Sequence, residues 1–206
     1  MNHLPLLSRR TVLRGAAGAM LAASVPLLAA CNKKNSLTVH GTDITGADFA
    51  KDFSLKDPEG RVRTMADFSD KLVMIFFGFT QCPDVCPTAL VRAAEIRRLL
   101  GPDGERLQVI FITIDPERDT PEVLASYTAA FDPSFLGLYG DQAATDKTVK
   151  DFHMYARKVE TGNSYTMDHT SLSYLYDTNG KLRVLLRHEQ SAEECVEDIR
   201  AVMANT

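Results

Sequence analysis

The sequence predicts an α/β fold, a central mixed sheet with helices on both faces, from three observations. Residues 72–77 and 107–114 are apolar runs of the length of buried strands, and each is followed by a segment with helical start signals. The chain then closes on a hairpin signal, Thr178-Asn179-Gly180, and a capped helix, not on further strand–helix repeats. Its 206 residues, 45% hydrophobic and 24% charged, suit one domain with a substantial core plus an N-terminal extension.

In chain order, residues 53–55 and 61–63 flank Asp57-Pro58-Glu59-Gly60, which predicts a hairpin ahead of the main sheet. Residues 72–77 contain no polar side chain, the pattern of a strand covered on both faces. Residues 87–100 read as a helix with Leu90, Ala94 and Arg97 on successive turns; Pro87 belongs in its first turn, where a missing N–H costs nothing. Residues 107–114 form the second core strand. Thr120-Pro121-Glu122 then supplies a helix cap, a first-turn proline and an acid in that order. A short strand is expected near residues 135–139 and a helix over about 142–156. Residues 171–176 and 181–187 pair around the Asn-Gly turn, and Ser191-Ala192-Glu193-Glu194 is a capping box that opens the last helix. This order, with a cysteine pair after the first long strand, resembles a thioredoxin-type fold.

That pair, Cys82 and Cys86, lies four residues apart, each cysteine immediately before a proline. Because the residue before proline is pushed out of the helical region, both are expected in the loop ahead of the helix, near its positive end. A thiol placed there deprotonates readily, and thiolate is the form that attacks disulfides and binds soft metals. A magnitude argues against a purely structural bridge. Closing so short a loop contributes only ~2 kcal/mol in the chain-entropy model, whereas a bridge from Cys82 to Cys195 would give about 5 kcal/mol. The spacing permits a disulfide, and we read it as a reversible one.

The N-terminus carries an address. Ser8-Arg9-Arg10-Thr11-Val12-Leu13-Arg14 resembles the twin-arginine export signal, and the apolar segment 15–30 behind it is too short for a comfortable membrane span. Leu28-Ala29-Ala30-Cys31 resembles a bacterial lipobox, which makes Cys31 the expected site of lipidation; a Sec lipoprotein signal is the rival route. Residues 1–30 are thus expected to be an export signal, 31–47 a lipid-anchored polar tether, and 48–206 the domain. The destination is a membrane-anchored lipoprotein facing the periplasm or the outer side of the cytoplasmic membrane. Keeping a cysteine pair reduced in that oxidising compartment requires a metal or an electron donor. The formal charge is −4 although the first thirty residues carry Arg9, Arg10 and Arg14 and no acid, so the remainder is more acidic still. An acidic chain without a basic block excludes nucleic acid as the expected partner.

The other candidate ligand is His169, in the stretch Tyr165 to Ser171, read as a polar loop before the hairpin. In a thioredoxin-type fold that loop faces the one ahead of the first long helix. Two thiolates and one imidazole suit Cu(I); a closed zinc site wants four ligands, and no second close cysteine pair supplies them. Asp168 is a candidate to orient the ring, Met167 a candidate auxiliary soft ligand more readily read as packing. His40 in the tether, His153 in a helix and His188 at a strand end read as solvated or packed residues, and Cys195, on one apolar face with Ile199 and Val202, as an inert core cysteine. Asp115-Pro116-Glu117-Arg118-Asp119 reads first as a turn leading into a helix. It lies on the sheet edge that carries the cysteines, which leaves a smaller share for function.

Residues 77–87, Ile114-Asp115-Pro116-Glu117-Arg118-Asp119-Thr120-Pro121 and Asp168-His169-Thr170 together resemble the three signature segments of the Sco (SenC) family, and the similarity runs from about Asp48 to the C-terminus. The resemblance implies a membrane-tethered copper protein of thioredoxin fold that assists assembly of the binuclear copper centre of cytochrome c oxidase subunit II. Residue by residue, Cys82, Cys86 and His169 match the copper ligands, for Cu(I) and also Cu(II), and Asp115 an acidic position beside the site. A periplasmic copper donor is implied as a second partner. Gln81 stands where many members have His, and Thr170 where many have Ser. Two functions compete: a copper metallochaperone, which is preferred, and a thiol–disulfide oxidoreductase that reduces the copper-site cysteines of the same partner, with Cys82 and Cys86 as attacking and resolving thiols. Thioredoxin-like oxidoreductases usually carry a proline just before the hairpin strand. This chain has none after Pro133, which favours the metal. A peroxidase reading fails on the absence of its Pro, Thr and Cys arrangement.

Overall fold

The computed structural model describes residues 36–206; the expected export signal and Cys31 lie outside them. Six strands make the main sheet: β1 (Thr42–Asp43), β4 (Leu72–Gly78), β5 (Leu107–Thr113), β6 (Leu136–Leu138), β9 (Ser173–Tyr176) and β10 (Leu182–Leu186), in the order β1-β10-β9-β4-β5-β6. β4 is parallel to β5, from Leu72 opposite Leu107 to Gly78 opposite Thr113, and antiparallel to β9. Flanked on both sides and buried at every residue, β4 requires the unbroken apolar run that the sequence gives it.

Helix α1 (Val85–Leu100) follows β4, α2 (Pro121–Ala129) follows β5, α3 (Gln142–Asp151) follows β6 and α4 (Ala192–Met203) closes the chain against α1. Adjacent residues of β4 show that both faces are covered. The space beside Gly78 is filled by Cys86 of α1, whereas the Phe77 ring packs on Phe152 at the end of α3, with centroids 4.9 Å apart. The architecture is the expected thioredoxin-like α/β fold. The expected caps are in place: Thr120 accepts from Val123 N–H and both halves of the Ser191–Glu194 box are made, while Asp141, not anticipated as a cap, accepts from Ala144 N–H. The early hairpin pairs β2 (Leu55–Lys56) with β3 (Val62–Arg63), and Lys56 and Tyr139 exchange backbone hydrogen bonds that tie it to the β6 edge.

Three expectations are corrected. Residues 37–47 were expected to be a tether, but from Leu37 onward they belong to the domain. Leu37 is buried, β1 pairs with β10, and the buried Asp198 carboxylate of α4 accepts the His40 and Gly41 amides at 2.6 and 2.8 Å. Polar composition concealed this docking because its bonds are made by backbone. Helix α1 starts two residues before Pro87, so Cys86 sits in the first helical turn, not in the loop. The first-turn amides have no partner within a helix, and Cys86 N–H finds one in the Cys82 sulfur at 3.4 Å. Finally α3 ends at Asp151, His153 adopting a left-handed φ of 52°, and the chain then forms a hairpin that was not anticipated. Strands β7 (Ala156–Thr161) and β8 (Ser164–His169) pair from Ala156 opposite His169 to Thr161 opposite Ser164. The stretch read as a polar loop is therefore a strand ending on His169. Gly162-Asn163 marks the turn, but β7 is mostly exposed, β8 is only half-buried, and neither shows a clear apolar alternation.

Candidate metal and thiol site

Parallel pairing of β4 and β5 delivers their C-terminal ends to one edge of the sheet. There the segments that leave the two strands are stitched together by Asp119. Its buried carboxylate accepts the Thr113 hydroxyl at 2.5 Å, the Thr80 hydroxyl at 2.6 Å and the Thr80 amide at 3.1 Å. Burial raises the pKa of Asp119, and the threonine hydrogen bonds oppose that shift. Thr80 is thereby pinned, and the turn of Cys82 N–H onto Phe79 C=O at 3.2 Å carries the chain into α1.

The two cysteines are unequal. Both are free thiols; Cys82 is half-buried and Cys86 fully buried. A hydrogen bond from Cys86 holds the Cys82 thiol far below the ordinary thiol range, at about 5, against the opposing effect of burial; amides of the first helical turn add to the lowering. Cys86 is pushed strongly upward by that same hydrogen bond and by its burial. The pair thus comprises one half-buried thiolate and one buried thiol that donates to it.

His169, half-buried at the end of β8, lies with its ring edge-on to Phe79 and Phe76, at centroid distances of 6.1 and 6.5 Å. Its Nδ1 is 2.9 Å from the Thr170 carbonyl oxygen, which can only accept, so Nδ1 bears the proton and the Nε2 lone pair is free. The ring partner is that carbonyl. Asp168, expected to orient the ring, is exposed on the other face of the strand. Asp115 is buried and accepts Arg118 Nε at 2.5 Å and the Tyr165 hydroxyl at 2.8 Å. Among the described residues, no three His, Cys, Asp or Glu side chains converge at metal-binding distance. Phe79 meets both Cys82 and His169: its carbonyl accepts the Cys82 amide and its ring lies edge-on to the imidazole, an open arrangement of soft donors and not a closed cage.

The remaining candidates are packing or surface residues. Cys195 is fully buried, its thiol pushed up to about 11 by burial. His40 pairs with Glu197 at 2.7 Å, His153 stacks on Phe49 at 4.5 Å, and Met167 packs against the core. Sequence reasoning missed Asp119, Thr80 and Thr113 as the clamp behind the pair, and Arg118 and Tyr165 beside it. The only signal was that the 115–119 stretch lies at a strand's C-terminal end.

Comparison with known proteins places these observations in a family. The family described as SCO1/SenC matches residues 41–204. An SCO2-like protein of Rickettsia felis is 36% identical over 152 residues, covering 72% of this chain and 74% of that protein. Among solved structures, Bradyrhizobium japonicum ScoI with copper bound shares 41% identity at a TM-score of 0.67, covering 73% of this chain and 97% of that one. Apo Sco1 from Thermus thermophilus shares 38% at a TM-score of 0.72, covering 80% and 97%.

Proposed function

The chain belongs to the SCO1/SenC family, and from that premise we propose that it is a copper metallochaperone which assists assembly of the binuclear copper centre of cytochrome c oxidase subunit II. Copper is its cargo, held by Cys82, Cys86 and His169. One observation carries the reading: a half-buried thiolate-forming cysteine that accepts a hydrogen bond from the Cys86 amide is tied by its own amide to the Phe79 carbonyl, and an imidazole with free Nε2 lies edge-on to the Phe79 ring. This donor set fits a soft monovalent ion that accepts low coordination. Openness suits a carrier, because cargo leaves by stepwise exchange of thiolates with an acceptor, and His169 supplies a ligand that either thiolate can be traded against. Asp119 and Thr80 keep the loop in place while the pair changes partners.

The inequality of the cysteines supports a second reading, a thiol–disulfide reductase of the same partner. The Cys82 thiolate would attack a partner disulfide to form a mixed disulfide and release one partner thiolate. Cys86, once deprotonated, would attack Cys82 sulfur and release the second. The partner gains two electrons, this pair becomes a disulfide, and an external thiol donor must reduce it again. The remaining elements of the proposal are export, lipidation at Cys31 and a periplasmic copper donor. No helix among the described residues is long and apolar enough to cross a membrane. Mass spectrometry of the mature N-terminus tests the anchor; an unmodified Cys31 still joined to Ala30 would overturn it.

His169→Ala separates the two readings. A chaperone should lose tight copper binding and support of the oxidase while thiol exchange persists. Full oxidase activity in cells whose only copy is this variant, with no copper on the purified protein, would instead establish the reductase. Oxidation of the pair should abolish copper binding, since both sulfurs must be thiolates.

A further inference from the structure

The geometry points to Arg118 as the residue that positions His169: it clasps the β7–β8 hairpin to the cysteine loop and so sets the distance between imidazole and thiols. This rests on the copper reading of that site. Arg118 binds through two of its three guanidinium nitrogens and through its flat face, while Nη2 is buried without a hydrogen-bond partner. Nε donates to Asp115 at 2.5 Å, and Nη1 donates to Gln81, the neighbour of Cys82, at 3.2 Å and to the Tyr165 carbonyl at 2.9 Å. Its flat face covers the Tyr165 ring, with Cζ 3.6 Å from the centroid, and lies 5.8 Å from the Phe79 centroid. One side chain therefore touches the cysteine loop, the segment after β5 and the strand that ends on His169.

The other restraint on the hairpin there is the ion pair of Lys158 with Glu117 at 2.9 Å. Strand β7 is mostly exposed and β8 half-buried, and Tyr165 is the hairpin's anchor: the hydroxyl lies 2.8 Å from an Asp115 oxygen and 3.2 Å from a Glu117 oxygen, and Lys158 Nζ lies 3.8 Å from the ring centroid. Two cations at such distances cannot share one face of a ring, so Arg118 and Lys158 sandwich it. Tyr165 and His169 lie on the same face of β8, four residues apart, and a paired strand transmits a displacement of one to the other. Lysine could not replace Arg118, because a point charge has no flat face to stack while its edge donates in three directions. A buried Asp115 could require Arg118 for neutralisation alone, and the test must tell that role from positioning.

The test is a double-mutant cycle on Cu(I) affinity, measured by competition with a chromogenic chelator, using the soluble domain from Leu37 onward, the unit that holds the core. Arg118→Met should weaken Cu(I) binding about 10- to 100-fold, the range for removing a group that orients a ligand, and should cost nothing further in an His169→Ala background. Tyr165→Leu leaves the Arg118–Asp115 pair intact, removes the anchor, and should couple to His169 in the same way; it replaces Arg118→Met if that variant does not fold. Hydrogen exchange of the amides of residues 164–169 should quicken in both variants. Unchanged affinity, or an equal loss with and without His169, would overturn the positioning role. If the unaltered domain bound no Cu(I), the copper reading would fail, and exchange at the hairpin amides would still decide whether Arg118 holds it.

Discussion

Replacing Gly78 by alanine should disturb the fold and the thiol chemistry together. Gly78 is the last residue of β4, and a Cβ there would lie 2.6 Å from Cys86 Sγ, 2.8 Å from Phe111 Cε2 and 3.1 Å from Phe111 Cζ. Phe111 is fully buried and held between the Phe76 and Tyr127 rings, with centroids at 6.1 and 5.6 Å, while Cys86 is fixed on the first turn of α1. Neither neighbour ends a flexible side chain. Overpacking of this kind costs about 1–3 kcal/mol, which for a domain of this size lowers the melting temperature by about 2–12 °C. The chemical consequence follows from the same contact. Cys86 is the main reason that Cys82 ionises at about 5, so displacing Cys86 should move Cys82 back towards an ordinary thiol. The assay is the pH dependence of iodoacetamide alkylation of Cys82 in the reduced protein, beside thermal unfolding. In a Cys86→Ala background the added methyl meets one obstacle fewer, and its effect on melting should be smaller. A Gly78→Ala protein that melts within about a degree of the parent and whose Cys82 still titrates near 5 would refute the reasoning.

Further outcomes are expected at four other residues. Because the Cys82 pKa is depressed on folding, its ionisation contributes stability that is present above the unfolded thiol value and lost as pH falls towards about 5; urea titrations under reducing conditions should show the advantage of the parent over Cys82→Ser growing from pH 5 to 9. Asp119→Ala should destabilise by about 1–3 kcal/mol for each donor it orphans among Thr80 N–H, Thr80 hydroxyl and Thr113 hydroxyl. The Asp119 pKa is raised, so its contribution is fullest below the unfolded value, and the gap between parent and Asp119→Asn should shrink as pH rises through the folded value. The Glu197 partner raises the pKa of His40, so the hold of that ion pair on residues 37–44 should be complete below the ordinary histidine value and fade as pH rises through the raised one; faster amide exchange there at alkaline pH, absent from the change in His40→Ala, is the measurement. Cys195 should resist Ellman's reagent in the folded protein, and Cys195→Ala should leave copper binding and Cys82 alkylation unaltered.

Wherever a local pattern fixes a local structure, the sequence by itself determined the outcome. The unbroken apolar run 72–77 and the largely apolar run 107–114 read as strands buried on both faces, and Thr120-Pro121, Ser191-Ala192-Glu193-Glu194 and Thr178-Asn179-Gly180 each carry their own cap or turn chemistry. Their order gave the sheet, and the cysteine pair at the end of the first strand gave the sheet edge where the site lies. Tertiary structure alone decided how that edge is built. The inequality of Cys82 and Cys86 comes from one sulfur lying against Gly78 and Phe111 in the core while the other stays half-exposed, a matter of depth that four residues of spacing do not encode. The clamp of Asp119 on Thr80 spans 39 residues and the bond from Tyr165 to Asp115 spans 50, so neither leaves a periodic trace. The hairpin that carries His169 was hidden because only Ala156 and Met167 pack on the core, too few to make an alternating apolar face, and the rest of its hold is ladder hydrogen bonds and one tyrosine flanked by Arg118 and Lys158.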